Sequence, residues 1–250
     1  MCIRDRFYSV FNLQTMNKIL LLTIIFSISS CTNNNSVDHL YPSEDLVIEN
    51  HDDWGAENYK KLIKEFKSSP LNYGDIVFLG NSITHEGKDW SKRLNYPNIR
   101  NRGIGGDVTD GVLARINEIT YFKPKAVFLL IGINDLWNNY NPDNPSAEYI
   151  ANNIIQIAQV INAQTPKTNI YVQTVLPIDK EQYKNNILKV NEIIKANEKE
   201  NPYQIVDLYS IFVNENGLIR KDLSTDGIHL NEKGYDAWVD FIKPVVSSIN

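Results

Sequence analysis

Residues 75–80 read DIVFLG and run directly into Asn81-Ser82-Ile83-Thr84, and this stretch decides the fold. An apolar run as dense as Ile76–Leu79 makes a strand. It stops abruptly at a glycine followed by a small hydroxyl residue, which is either an ordinary turn and helix cap or a nucleophile raised at the edge of a sheet.

Outward from this strand, helical and strand patterns alternate to the end of the chain. NIRNRG (98–103), KAVFLLIG (125–132), NIYVQTV (169–175) and YQIVDL (203–208) are the further strand candidates. WGAENYKKLIKEFKSS, TDGVLARINEIT, SAEYIANNIIQIAQVINAQ, YKNNILKVNEIIKANEKE and NEKGYDAWVDFIKPVVSSI place apolar residues three and four apart, as amphipathic helices do. Thr109 and Ser146 stand where N-caps belong, with acidic residues close behind. Alternation of this kind predicts an α/β domain of three layers around a parallel sheet.

Composition narrows the function classes. The chain has 250 residues, 42% of them hydrophobic and 22% charged, which suits one globular domain. A net charge of -5 without a basic cluster argues against nucleic acid as a partner. The two cysteines, Cys2 and Cys31, cannot build a thiolate metal site or a disulfide framework within the fold, and no metal is expected.

The beginning of the chain reads as a processing signal. From Met16, MNKILLLTIIFSISSC has a basic start at Lys18, an apolar stretch from Ile19 to Ile28 and small residues before Cys31. That apolar stretch is too short for a spanning helix. The ISSC ending resembles a bacterial lipobox, which implies cleavage before Cys31, lipidation of that cysteine and a place in the bacterial cell envelope, the alternative being plain secretion. Residues 1–31 are therefore expected to be a leader and lipoprotein signal peptide. Residues 32–52, polar and aperiodic at their start, are expected to be a flexible tether, and 53–250 the folded domain. The membrane enters this reading only through the anchor.

Functional groups in such a sheet gather at the carboxyl ends of the strands, where three turns are chemically unusual. GNS (80–82) offers a hydroxyl. GIGGD (103–107) has glycines that permit positive φ and close backbone approach, without the spacing of a dinucleotide or phosphate loop. GIND (132–135) ends the most apolar strand in Asn134 and Asp135, either an Asx turn or polar groups aimed into a cleft. Near the other end, DGIH places Asp226 and His229 three apart, so the carboxylate can orient the imidazole as a general base, or can merely cap the next helix.

In this order GNSIT, GIGGD, GIND and DGIHL resemble the four motif blocks of the SGNH or GDSL hydrolases, over about residues 74–240. The usual first block has an aspartate before the serine, where this chain has Asn81. The resemblance implies a flavodoxin-like sheet of five parallel strands in the order 2-1-3-4-5, with Ser82 as nucleophile, His229 as base and Asp226 as its orienter. The oxyanion hole would be the N–H groups of Ser82 and Gly106 with the Asn134 amide. It further implies a short-chain, acetyl-type serine esterase that works through an acyl-serine without a cofactor, on a small-molecule or glycan ester. A glycan acyltransferase, a lysophospholipase or thioesterase and a silent binding protein are the competing readings. His85 is expected at the cleft rim, and Asn81 and Trp137 are further candidates for substrate contact. Trp137, Asn138, Asn139 and Tyr140 in the LWNNYNPDNPSAE insert either stack on and hydrogen-bond a sugar or form a solvent-exposed loop.

Overall fold

The computed structural model describes residues 37–137 and 145–249. Five strands, β1 (Ile76–Gly80), β2 (Ile99–Gly103), β3 (Ala126–Leu130), β4 (Asn169–Gln173) and β5 (Gln204–Val206), form one parallel sheet in the order β2-β1-β3-β4-β5. The expected α/β class and strand order are both observed. β1 and β3 lie inside the sheet and are buried along their whole length, which is why their sequences are unbroken apolar runs.

Among the described residues ten α-helices are interspersed with these strands. They are α1 (Asp53–Ser68), α2 (Ser82–Glu86), α3 (Trp90–Leu94), α4 (Thr109–Ala114), α5 (Ile116–Phe122), α6 (Ile133–Trp137), α7 (Ala147–Gln164), α8 (Lys184–Ala196), α9 (Leu208–Phe212) and α10 (Glu232–Ser247). α4, α5, α7 and α8 pack together, while α3 and α9 both pack on α10. An aromatic ladder crosses three strands in register, Phe78 on Phe128 at 4.9 Å and Phe128 on Tyr171 at 4.7 Å. Trp90 of α3 stacks on Phe78 at 4.4 Å, and Trp238 of α10 meets Trp90 at 4.7 Å, so α3 and α10 are seated on this ladder.

Three sequence expectations need correction. The tether does not extend unbroken to residue 52: Leu40, Tyr41 and Ile48 are buried and the Tyr41 hydroxyl donates to Glu118 at 2.8 Å, while residues 43–47 between them stay exposed. A few apolar side chains with long-range partners were enough to fasten a stretch that has no periodicity of its own. TDGVLARINEIT is two helices, because the chain leaves helical geometry at Arg115, whose guanidinium turns inward to Asp107. Thr109 does not cap α4; Val108 holds the cap position, and the Thr109 hydroxyl donates instead to Asp135 at 2.5 Å. Ser146 does cap α7, accepting from Tyr149 N at 3.2 Å. Cys31 and the rest of the leader lie outside the described residues, as do Asn138, Asn139 and Tyr140.

Candidate active site

Ser82 is the first residue of α2, immediately past the carboxyl end of β1. The turn is sharp because Gly80 has no side chain: a Cβ there would run into the Leu130 carbonyl and the Thr84 hydroxyl. Asn81 is buried, and its Oδ1 accepts from Ile83 N at 3.1 Å, so it caps the helix that Ser82 begins. At 1% exposure it cannot touch substrate, which corrects the expectation that it might. An asparagine oxygen serves this cap as an aspartate oxygen would, so the departure from the usual motif is locally neutral.

His229 arrives from the other end of the chain on a short closed loop. Ser224 and Leu230 form an antiparallel bridge, and Gly227 adopts φ +89, a left-handed conformation that favours glycine. The resulting turn lets one oxygen of Asp226 accept from the backbone N–H of Ile228 at 2.9 Å and of His229 at 2.7 Å. The other oxygen stands 2.8 Å from His229 Nδ1, and His229 Nε2 is 3.0 Å from Ser82 Oγ. Partial burial works against ionisation of Asp226, but the hydrogen bonds from the His229 ring and from these two N–H groups prevail and hold its carboxyl at about 2. Asn231 caps α10, and in the first turn of that helix the Tyr235 hydroxyl donates to the Ile83 carbonyl at 2.8 Å. This bond ties the histidine loop to the serine helix across 152 residues. Glu86 Oε1 lies 3.8 Å from His229 Nε2, a second carboxylate near the imidazole.

A cavity of about 470 Å³ opens over Ser82 and His229 and is also lined by Gly106 and Asn134. Gly106 has φ +80, and a Cβ on it would stand 2.8 Å from Cα of Gly55, so the loop is closed to any side chain. Asn134, in the first turn of α6, donates through Nδ2 to the Asp107 carbonyl at 2.9 Å, which holds its amide against the glycine loop. The loop is braced from below by a buried ion pair, Arg115 to Asp107 at 2.8 Å; the same guanidinium donates to the carbonyls of Gly80 and Arg102. Arg115 thereby joins the ends of β1 and β2 to the glycine loop. His51 adds a contact of 3.2 Å to Asp107. A carboxylate this deep is tolerable only with such partners.

The structure thus brings Ser82, Asp226, His229, Gly106 and Asn134 to one place, with exposed His85 and half-buried Trp137 on the same cavity wall. The Trp137 ring rests 5.5 Å from that of Tyr183. Asp52, Trp54, Asn58, Glu86, Ile133 and Ile228 line the wall as well, and the sequence reading had named none of them for the site. The available signal was a tryptophan in the first turn of an otherwise ordinary amphipathic helix. Among the described residues no group of acidic, histidine or cysteine side chains could hold a metal ion.

Comparison with known proteins places this site in a family. The model of the GDSL-like lipase/acylhydrolase family matches residues 78–237. The alpha2 subunit of platelet-activating factor acetylhydrolase IB from Rattus norvegicus is 29% identical over 196 residues, covering 75% of this chain and 81% of the relative. The fold resembles that of a GDSL-like lipase from Bacteroides thetaiotaomicron, with a TM-score of 0.65 and 26% identity over 76% of this chain and 97% of the other. An acetyl xylan esterase shares the fold with a TM-score of 0.59 and 23% identity, over 69% of this chain and 99% of the other. The family match spans all four motif turns and most of the sheet, and the chain belongs to the GDSL-like lipase/acylhydrolases, hydrolases of carboxylic esters.

Proposed function

We propose that the protein is a serine esterase that removes short acyl groups, chiefly acetyl, from sugar hydroxyls by way of an acyl-serine. The observation that carries the mechanism is the unbroken chain Asp226–His229–Ser82, at 2.8 and 3.0 Å, facing a cavity walled by Gly106 and Asn134. Ser82 Oγ attacks the ester carbonyl while its proton passes to His229 Nε2, and Asp226 stabilises the imidazolium. Negative charge on the former carbonyl oxygen meets the N–H groups of Ser82 and Gly106 and the Asn134 amide. His229 then protonates the departing alcohol. Water, deprotonated by the same nitrogen, releases the acid and restores Ser82.

The acetyl preference draws support from the acetylhydrolase relative. The sugar draws on the polar and aromatic wall and on the lipobox-like ISSC, which would anchor the enzyme through Cys31 in the cell envelope, where glycans are met. The test is turnover of p-nitrophenyl esters of rising chain length, followed by acetate release from acetylated oligosaccharides. Acetyl esters are expected to turn over fastest; faster turnover of octanoyl esters would redirect the assignment to a lipase or thioesterase.

A further inference from the structure

The family match begins at residue 78, yet part of the cavity wall comes from residues before it, at the start of α1. Trp54 is 61% exposed there, a large indole left in solvent beside the nucleophile. Its position is fixed. A Cβ on Gly105 would lie 2.9 Å from Cη2 of the indole, and one on Gly106 would lie 3.0 Å from its Cζ3, so the ring rests directly on the glycine loop. Asp52 caps the helix that carries it, accepting from Gly55 N at 2.6 Å, and Asn58 donates to the Gly105 carbonyl at 2.8 Å, fastening α1 to the same loop. The glycines at 105 and 106 therefore serve two contacts, a backbone N–H near the reacting oxygen and a flat seat for an aromatic ring.

We propose that Trp54 is the platform on which the alcohol half of the ester stacks, and that this half is a neutral sugar ring. The proposal rests on the sugar-esterase reading above and names the group that recognises the sugar. When the ester oxygen is held at Gly106, the group next to the loop has the indole as its neighbour, and the apolar C–H face of a pyranose is matched to an exposed indole face. The charges on the wall set the second half of the proposal. Asp52 and Glu86 are carboxylates, and among the described residues no lysine or arginine lines the cavity, so a uronate would be repelled and a neutral ring admitted.

The experiment compares wild type, Trp54→Ala and Trp54→Phe on ethyl acetate, ethyl butyrate, an acetylated xylo-oligosaccharide and an acetylated oligogalacturonide, with melting temperatures taken on each preparation. Wild type should prefer the xylo-oligosaccharide to the oligogalacturonide by roughly tenfold or more in kcat/KM. Trp54→Ala should lose about tenfold or more on the xylo-oligosaccharide, mainly through KM, and Trp54→Phe should recover most of it. On ethyl acetate, whose alcohol half has no ring to stack, both variants should lose several-fold less kcat/KM than on the xylo-oligosaccharide. Loss on ethyl acetate equal to that on the sugar would make Trp54 a support of the loop and overturn the platform. Loss confined to ethyl butyrate would move the indole to the acyl half, and a preference for the galacturonide would overturn the neutral sugar. If wild type cleaves ethyl acetate but no acetylated sugar, the sugar-esterase reading falls and takes the platform with it. If wild type cleaves the sugar and Trp54→Ala equals it, the platform alone falls.

Discussion

Asn134→Ala tests whether one amide carries both its observed tie to the Asp107 carbonyl and the proposed oxyanion contact. In the free enzyme Nδ2 donates to the Asp107 carbonyl at 2.9 Å, which leaves the second N–H of the same group for the cavity that Asn134 lines. The alanine removes both. Asp107 is fully buried, so its carbonyl loses a partner that water does not readily replace, at a cost of about 1–3 kcal/mol in stability. For a domain of this size that is a fall in Tm of about 2–4 °C per kcal/mol. Loss of the cavity-facing N–H acts on the reaction instead, because that bond strengthens as the carbonyl oxygen becomes an anion. Removing one such donor lowers kcat by roughly 10²–10³-fold, about 3–4 kcal/mol, with KM little changed. The assay is kcat and KM on p-nitrophenyl acetate well below the melting temperature, with calorimetry on the same sample. A variant whose Tm falls while kcat stays within a few-fold of wild type would refute the oxyanion role and leave Asn134 as a tie to the glycine loop.

Ser82→Ala and His229→Ala should each remove nearly all turnover and the double variant should be scarcely worse, since the groups act as a unit; His85→Ala, exposed at the rim, should keep most activity. Asp135, wholly buried beside Asn134, has its carboxyl pushed up to about 7 by that burial, against the opposing hydrogen bonds from Thr109. The folded state then holds this proton more tightly than the unfolded state does. Its contribution is fully present below the ordinary aspartate value near 4 and is lost as pH rises toward 7, at no more than about 1.4 kcal/mol per pH unit. Asp135→Asn should flatten the stability profile over that window in denaturant titrations, and an unchanged slope would assign the pH dependence elsewhere. Asp226, held at about 2, should stay ionised through the working range, so the acid limb of the rate profile should not be its titration; a limb that persists in Asp226→Asn would agree. Cys31→Ser should release the protein from the membrane fraction of its host, and mass spectrometry of an unmodified Cys31 would dismiss the anchor.

What the sequence by itself determined is whatever is written in short-range pattern. The apolar runs of β1 and β3 announced buried strands, and the spacing of three and four announced the long helices, because backbone period and burial act on neighbours in the chain. The four motif turns were legible for a similar reason. Gly80 before Ser82, the paired glycines at 105 and 106, and Asp226-Gly227-Ile228-His229 each carry their geometry within a few residues, down to the left-handed Gly227 and the two N–H groups that grip Asp226. The tertiary structure decided where distant surfaces meet. Nothing near Trp54 in the sequence says that it lies on Gly105, and nothing near His51 says that it closes on Asp107, 56 residues away. Thr109 looked like a cap and bonded to Asp135, and the supposed tether folded down because Leu40 joined the core and Tyr41 found Phe66 and Glu118 far along the chain. Turn chemistry and periodicity are local free energies, whereas the wall of the cavity is made by long-range packing, which selects among residues whose local signals are ordinary.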